Sequence, residues 1–256
     1  MSDHKALAEA LDDAARNRAA VAQLTIASPG LTAEEGYAIQ GHSIRRRIAR
    51  GERVVGVKLG LTSKAKMQQV NVSDVIIGQL TDAMEVTEGG DLRLDRYIHP
   101  RIEPEIAFVL KRSLPPRVSL VEAAAAIEAV FPALEIIDSR FLDFKFALPD
   151  VVADNTSAAA YVLGPPSPAS IDIANLAMIL KFDGRPVQIG SSAAILGHPL
   201  RALVEAARLA ATIGVTLDAG SIILGGSSTA AVDLTKPGVY VSAEVNGLGR
   251  VGVMTV

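Results

Sequence analysis

The stretch RIEPEIAFVL, residues 101–110, contains two glutamates whose spacing can bring two carboxylates together. Side chains alternate between the faces of a β-strand, so Glu103 and Glu105 would leave the same face while apolar residues line the other. Adjacent like charges repel unless solvent, protons or a cation separates them, and Mg²⁺ and Mn²⁺ prefer oxygen ligands. The stretch is therefore a candidate metal site. A half-exposed strand with two solvated glutamates is the alternative.

Three further stretches place polar residues where chemistry is possible. Lys58 lies in VVGVKLGLTS, an otherwise apolar strand, where an ammonium group needs a partner or a function. The polar residues 154–157 separate two apolar segments, although such residues commonly cap or turn the backbone. Residues 225–229, GGSST, either present backbone N–H groups to a carboxylate or form an ordinary turn. The sequence has no Gly-x-Ser-x-Gly motif, so a serine triad has no support.

Composition narrows the class of protein. With 256 residues, of which 49% are hydrophobic and 21% charged, the chain is predicted to be globular. A net charge of -3 gives no support for nucleic-acid binding, and the arginines at 45–47 fit a solvated helical face. The absence of cysteine excludes disulfides and thiolate zinc sites and fits a reducing compartment. With no long apolar run and a charged N-terminus, we expect a cytoplasmic protein without a membrane segment.

Hydrophobic periodicity predicts helices first and strands later. An amphipathic helix is predicted over residues 1–25, and a capping box at Thr32 and Glu35 begins a second helix. Residues 1–52 are therefore predicted to be a helical region packed on a main domain, residues 53–256. That domain shows short strands and hairpin turns, with an Ala-rich helix predicted to end at Phe131. The pattern is mixed α+β and lacks the Gly-x-Gly-x-x-Gly motif of a dinucleotide fold.

Six ordered motifs carry a resemblance to a known family. They are VVGVKLGLTS, RIEPEIAFVL, PALEIIDSRFLDFKF, VVADNTSAA, ILGHPL and LGGSSTAAV. Together they resemble the 2-keto-4-pentenoate hydratase/decarboxylase family of the fumarylacetoacetate hydrolase superfamily, from about residue 30 to the end of the chain. The resemblance implies an α+β fold, a mixed β-roll or barrel with flanking helices, in which residues 53–256 form the catalytic domain.

The same resemblance implies roles for individual residues. A Mg²⁺ or Mn²⁺ ion would be held by Glu103, Glu105 and Glu135. The catalytic residues would be Lys58, Asn155 and Ser157. The substrate would contact Leu61, Ile76, Arg140, Lys145, Gly226 and Thr229.

Details within the family distinguish hydration from decarboxylation. The hydratases typically carry a Pro-Asp-Phe-Gly segment whose aspartate transfers a proton, whereas this chain has Val-Ile-Ile-Gly at residues 75–78. Ile76, together with Phe144 and Phe146 around Lys145, resembles the decarboxylases, while Lys64 resembles the hydratases. The resemblance therefore favours decarboxylation of a 2-oxo dicarboxylic acid, 2-oxo-3-hexenedioate, in the meta-cleavage degradation of aromatic compounds.

Two alternatives stay open, and the resemblance also implies partners. The chain could instead hydrate 2-hydroxypentadienoate, or it could be a non-catalytic subunit that stabilises such a hydratase. Homo-oligomers are expected from the family. A complex with the hydratase is also expected, because the decarboxylation product is unstable in water.

Overall fold

The computed structural model describes residues 3–63 and 74–256, so Lys64 lies outside the described residues. The α-helices of the described part are α1 (His4–Asn17), α2 (Leu24–Ala27), α3 (Ala33–Ala49), α4 (Leu120–Ala125), α5 (Leu148–Ala153) and α6 (Leu200–Thr212). The longer strands are β1 (Val54–Gly60), β2 (Ile76–Thr81), β4 (Arg101–Leu110), β5 (Ile127–Ile137), β6 (Ala158–Leu163), β8 (Ala177–Phe182), β9 (Arg185–Ser191), β10 (Ile222–Ser227), β12 (Tyr240–Val245) and β13 (Gly249–Thr255). Three strands have only two residues: β3 (Asp91–Leu92), β7 (Ser167–Pro168) and β11 (Val232–Asp233).

Two sheets form the body of the chain. The first has the order β2-β1-β10-β4-β5-β6, with β11 beside β4 and β7 beside β5, and the second has the order β3-β13-β12-β8-β9. Strands β1 and β10 run parallel, whereas the other neighbours in the first sheet are antiparallel. The fold is therefore α+β with mixed sheets, as the sequence predicted.

The two faces of the first sheet have different surroundings. One face of β4 and β5 carries Ile102, Leu134 and Ile136, which pack in one buried cluster with Val241 and Val251 of the second sheet. Further along β4 the same face packs in a larger cluster that includes helix α6. Burial of both segments stabilises β4 as a central strand, so its opposite face can hold polar groups without loss of the core.

The N-terminal helices do not have a core of their own. Leu11 of α1 and Ile39 of α3 share a buried cluster with Phe141 and Ala153, which belong to the main body. Helix α1 ends at Asn17, earlier than the sequence predicted, because Arg18 adopts a left-handed conformation (φ 55°) that closes the helix. The predicted boundary at residues 52 and 53 stays a prediction.

The Ala-rich helix is shorter than the sequence predicted. Helix α4 begins after Ser119, which forms a capping box with Glu122, but ends at Ala125, and residues 127–132 belong to β5 instead of the helix. Phe131 pairs with Ala107 of β4 in the antiparallel register. Pairing with a buried neighbouring strand outweighs the helical propensity of alanine, which is a weak preference. One of the predicted hairpin turns joins β8 to β9, where Asp183 and Gly184 both have positive φ, as Asp-Gly turns require.

Side chains close the outer edge of β2. Gln40 of α3 donates from Nε2 to the carbonyls of Ile77 and Val152, both at 3.0 Å. The Asn155 amide accepts from the Gln79 N–H at 2.8 Å and donates to the Gln79 carbonyl at 2.9 Å. These bonds take the place of a further strand, and so fix helix α3 and the turn at Asn155 against β2.

No helix in the described part of the chain is long and apolar enough to cross a membrane.

We expect Gln40→Met to destabilise the protein by about 1–3 kcal/mol, because it leaves two buried carbonyls without a donor. Urea unfolding measures the change. Arg45→Met, at an exposed position of the same helix, is the control and should change the free energy of unfolding by less than about 0.5 kcal/mol. Equal stability of the two variants would contradict the role of Gln40 in fixing α3.

Candidate metal centre

Strand register brings three glutamates to one face of the first sheet. Glu103 of β4 is directly opposite Glu135 of β5, and Glu105 is opposite Ala133. Residues that face each other in an antiparallel pair lie on the same side of the sheet, and residues two apart in a strand share a face. The three carboxylates therefore converge, and one oxygen of each lies within 4.8 Å of the others.

The carboxylates are buried. Glu103 is 5% exposed, and Glu105 and Glu135 are fully buried. The alternative of a half-exposed strand with solvated glutamates is therefore wrong. Three acidic groups withdrawn from water at this separation require protons or cations to compensate their charge.

Lys58 supplies one such cation. It lies in β1 opposite Leu224 of β10, and its side chain is 3% exposed. Its Nζ lies 3.0 Å from Glu135 Oε1 and donates to the Thr156 carbonyl at 3.1 Å. One ammonium group cannot by itself neutralise three ionised carboxylates.

Burial and mutual repulsion change the pKa values of two of these carboxyl groups. Burial, together with repulsion from Glu135 and Glu103, raises the pKa of Glu105 well above its usual 4.5. Burial also raises the pKa of Glu135, although the charge of Lys58 acts in the opposite direction. The metal-free site therefore holds protons more strongly than free carboxylates do.

The donor set fits a hard divalent cation. No described residue donates a hydrogen bond to Glu105 Oε1 or Glu135 Oε2, although both atoms are buried. Buried acceptors without donors are rare in folded proteins, and a cation would satisfy them. Oxygen ligands from three carboxylates match the preference of Mg²⁺, Mn²⁺ and Ca²⁺ rather than that of softer metals.

The glycine-rich segment contacts a candidate ligand directly. Gly226 donates its N–H to Glu105 Oε2 at 2.8 Å and has φ of 98°. A Cβ at this position would lie 2.0 Å from Thr62 Oγ1, so only glycine fits. Thr229 donates its N–H to Ser227 Oγ at 3.1 Å, in a turn next to this contact. The predicted substrate contact at Gly226 is therefore a backbone contact with a glutamate in this structure.

A left-handed turn forms the wall beside Lys58. Asn155, Thr156 and Ser157 have consecutive positive φ values of 50°, 55° and 57°. Such conformations are costly for residues other than glycine and persist where the surroundings enforce them. The turn aims the Thr156 carbonyl at Lys58, and the hydroxyls of Thr156 and Ser157 are buried with no described hydrogen-bond partner. The amide of Asn155 is engaged with β2, so it fixes the turn.

Apolar residues complete this wall. Ile76 of β2 is buried and pairs with Gly60 at the end of β1. A Cβ at Gly60 would lie 2.6 Å from Thr156 Cγ2 and 2.9 Å from Ile76 Cγ1, so these three residues are in close contact. Leu61 follows with φ of 59°. The positions predicted for Leu61 and Ile76 thus adjoin the turn beside Lys58.

Two basic residues predicted to bind substrate have other surroundings. Arg140 is buried, and its guanidinium donates to the Asp154 carboxylate and to the carbonyls of Asp138, Asp154 and Ala158. Burial nevertheless raises the pKa of Asp154 to about 6. Lys145 has a side chain 75% exposed and pairs with Asp143 at 3.3 Å. The structure brings neither cation into contact with the glutamates.

Sequence reasoning missed two contacts of the centre. The Thr156 carbonyl on Lys58 depends on a left-handed turn that nothing in the sequence NTS requires. The Gly226 N–H on Glu105 depends on the shift in register between β10 and β4 after Leu224. The spacing of the glycines alone indicated only a backbone able to approach a carboxylate.

Comparisons with known proteins identify relatives over nearly the whole chain. The chain is 52% identical to a 4-oxalocrotonate decarboxylase from Pseudomonas sp. over 97% of this chain and 96% of that protein. It is also 39% identical to a 2-keto-4-pentenoate hydratase from Paraburkholderia xenovorans, over 95% of this chain and 91% of that protein.

A solved structure is similar over nearly the whole fold. It is described as 4-oxalocrotonate decarboxylase from Pseudomonas putida G7, complexed with magnesium and adipate. The TM-score is 0.94 with 37% sequence identity, covering 99% of this chain and 97% of that chain. The family model for the C-terminal domain of fumarylacetoacetate hydrolase matches residues 53–254. The chain belongs to the fumarylacetoacetate hydrolase family.

Proposed function

We propose that the protein is a metal-dependent 4-oxalocrotonate decarboxylase, a carboxy-lyase of aromatic catabolism. It converts 2-oxo-3-hexenedioate into 2-hydroxy-2,4-pentadienoate and CO₂. The observation that carries this proposal is the buried set of three glutamates beside Lys58, in a chain 52% identical to a protein with that name.

The reaction needs a place for an electron pair. The bond between C5 and C6 breaks, CO₂ leaves, and the pair forms the C4–C5 double bond. The existing double bond moves to C2–C3, so negative charge develops on the 2-oxo oxygen, which then takes up a proton. Charge of this kind is stabilised by a preorganised cationic site shielded from water.

The residues of the centre match this demand. Glu103, Glu105 and Glu135 would hold the metal ion, and Lys58 places an ammonium group 3.0 Å from Glu135 Oε1. A divalent ion bound there supplies a Lewis acid. We assign to Lys58 the stabilisation of the developing charge and the delivery of the proton. Ser157 and its buried hydroxyl line the adjoining wall.

Hydration of 2-hydroxypentadienoate is the second candidate function, since hydratases are among the relatives. The identity of residue 76, an isoleucine, argues against hydration. The position that resembles the acidic residue of the hydratases is apolar and buried, next to the turn that contacts Lys58. Decarboxylation along a conjugated chain does not need that acid.

Metal identity, assembly and location belong to the same proposal. Mg²⁺ or Mn²⁺ fits the carboxylate oxygens, and a relative is described with magnesium. The family resemblance supports a homo-oligomer and a complex with the hydratase that would consume the unstable product. The absence of cysteine remains in keeping with the cytoplasm.

The direct test is to supply enzymatically generated 4-oxalocrotonate with Mg²⁺ and to follow ultraviolet absorbance and CO₂ release, with an EDTA control. Metal-dependent CO₂ release is the expected result. If no CO₂ appears, consumption of 2-hydroxypentadienoate would identify a hydratase. Metal binding without either reaction would favour a non-catalytic partner of the hydratase.

We expect Glu105→Gln to weaken Mg²⁺ binding and to abolish turnover, because it removes a charged ligand. Mutation of residues that only hydrogen-bond to a metal ligand typically costs roughly 10–100-fold in metal affinity, so loss of a ligand itself should cost at least as much. Isothermal titration calorimetry measures it. Glu128→Gln, at an exposed position of the same strand β5 as Glu135, is the control and should bind Mg²⁺ like the parent.

We expect Lys58→Met to lower kcat/KM by roughly 100-fold or more while the protein stays folded, because the charge that it supplies is needed at the reacting oxygen. Steady-state CO₂ release measures the rate, and circular dichroism checks the fold. Lys111→Met, at an exposed position, should leave kcat/KM unchanged. An unchanged rate in Lys58→Met would refute the role of this lysine.

The raised pKa of Glu105 predicts opposite pH trends for two quantities, the stability of the metal-free protein and the stabilisation that Mg²⁺ adds. Because the pKa of Glu105 in the folded, metal-free protein exceeds its usual 4.5, that form should lose stability as the pH rises above 4.5 and through the raised value. Mg²⁺ requires the carboxylates deprotonated, so the increase in Tm on adding Mg²⁺ should grow over the same range. Thermal unfolding from pH 5 to 8 measures both, and Glu105→Gln should flatten them.

A further inference from the structure

Arg101 is a basic residue at the candidate metal centre for which the sequence suggested no role. Its guanidinium is not buried among internal acceptors as that of Arg140 is, and its side chain is 37% exposed. It opens strand β4, two residues before Glu103. A substrate with a negative charge at each end needs a cation at both ends, and the metal can serve only one of them.

The strand register places Arg101 on the same face as the glutamates. Arg101 is opposite Ile137, as Glu103 is opposite Glu135, in an uninterrupted run of pairs. Asp233 of β11 pairs with Arg101 on the other side. With a rise of about 3.3 Å per residue, the backbone of Arg101 lies roughly 6.6 Å along the strand from that of Glu103.

Two contacts hold the guanidinium of Arg101 in place. Its carbon lies 4.0 Å from the centre of the Phe144 ring, and Nε donates to Asp233 Oδ1 at 2.7 Å. Neither terminal NH₂ group donates a hydrogen bond to a residue in the described ranges 3–63 and 74–256. A stacked guanidinium with both terminal nitrogens open can bind a carboxylate through two parallel hydrogen bonds.

Phe144 is positioned by an unusual backbone. Asp143 and Phe144 both have φ of 57°, a conformation uncommon for bulky residues. The turn places the Phe144 ring next to Arg101 and next to His99, whose ring centre is 5.1 Å away. The neighbouring Phe146 ring lies 6.1 Å from Phe144. We interpret Phe144 as a positioning residue for the guanidinium.

We propose that Arg101 binds the second carboxylate of a 2-oxo dicarboxylic acid and thereby selects dicarboxylates over monocarboxylates. The inference rests on the proposed function and adds the means of recognising the far end of the substrate. Five carbon–carbon bonds of about 1.5 Å give an extended six-carbon diacid a length of roughly 6 Å. This length is close to the separation along β4 between Arg101 and Glu103.

A matched pair of ligands tests the proposal without turnover. 2-Oxoadipate and 2-oxohexanoate share the 2-oxo acid group and the six-carbon chain, and differ only in whether the far end is a carboxylate or a methyl group. Their dissociation constants are measured by calorimetry on the full chain saturated with Mg²⁺. The protein should bind 2-oxoadipate roughly 10-fold or more tightly than 2-oxohexanoate, as expected for charge-assisted hydrogen bonds.

Arg101→Met should remove this preference by weakening 2-oxoadipate alone, while binding of 2-oxohexanoate changes by less than about two-fold. Arg101→Lys keeps the charge but loses the paired geometry, so it should retain part of the preference. Phe144→Leu should reduce the preference less than Arg101→Met does. Arg53→Met is the control, because Arg53 forms a similar exposed pair from Nε to Asp82 at 2.9 Å.

Equal weakening of both ligands in Arg101→Met, or no preference in the parent protein, would overturn the proposal. Failure of both ligands to bind the Mg²⁺-loaded protein would overturn it together with the proposed 2-oxo acid substrate. A parent protein that prefers 2-oxoadipate through Arg101 but releases no CO₂ from 4-oxalocrotonate would refute the decarboxylase and support the role of Arg101. The two proposals can therefore fail separately.

Discussion

Repulsion among three buried carboxylates is the constraint on which the rest of the structure depends. Glu103, Glu105 and Glu135 lie too close together and too far from water to be stable as three free anions. Within the described part of the chain, Lys58 is the cation that pairs with Glu135. The rest of the fold has to supply enough stability to keep these charges together. Their mutual repulsion favours the binding of a cation among them.

The architecture meets this demand by separating the two faces of one sheet. The face of β4 opposite the glutamates packs in apolar clusters, first against the second sheet and then with α6. The outer edge of β2 is closed by Gln40 and Asn155, so the strand next to Lys58 is held from both sides. Rigid neighbours of this kind allow the carboxylates to stay close without moving apart.

Much of this arrangement could be predicted from local pattern, because alternation along a strand is a local property. The Glu-x-Glu spacing placed two carboxylates on one face, and the same alternation includes Arg101, which could have been found by continuing it one step toward the N-terminus. The pairing of Glu103 with Glu135 depends on register, which no local pattern fixes. The end of α4 and the turn at Asn155 depend on tertiary contacts that override local preference.

The hydrogen bond from the Gly226 N–H to Glu105 connects the candidate metal site with the glycine-rich segment. A cation bound to Glu105 would weaken this carboxylate as an acceptor for the Gly226 N–H. A substrate that moves the glycine-rich segment would in turn change the position of the carboxylate. Thermodynamic linkage requires the effect to be reciprocal. If metal binding stabilises one position of the segment, then holding the segment in that position increases the affinity for the metal by the same free energy. Glycine at this position would thus couple metal binding at Glu105 to the position of the segment, because a larger residue would collide with Thr62 and separate the segment from Glu105.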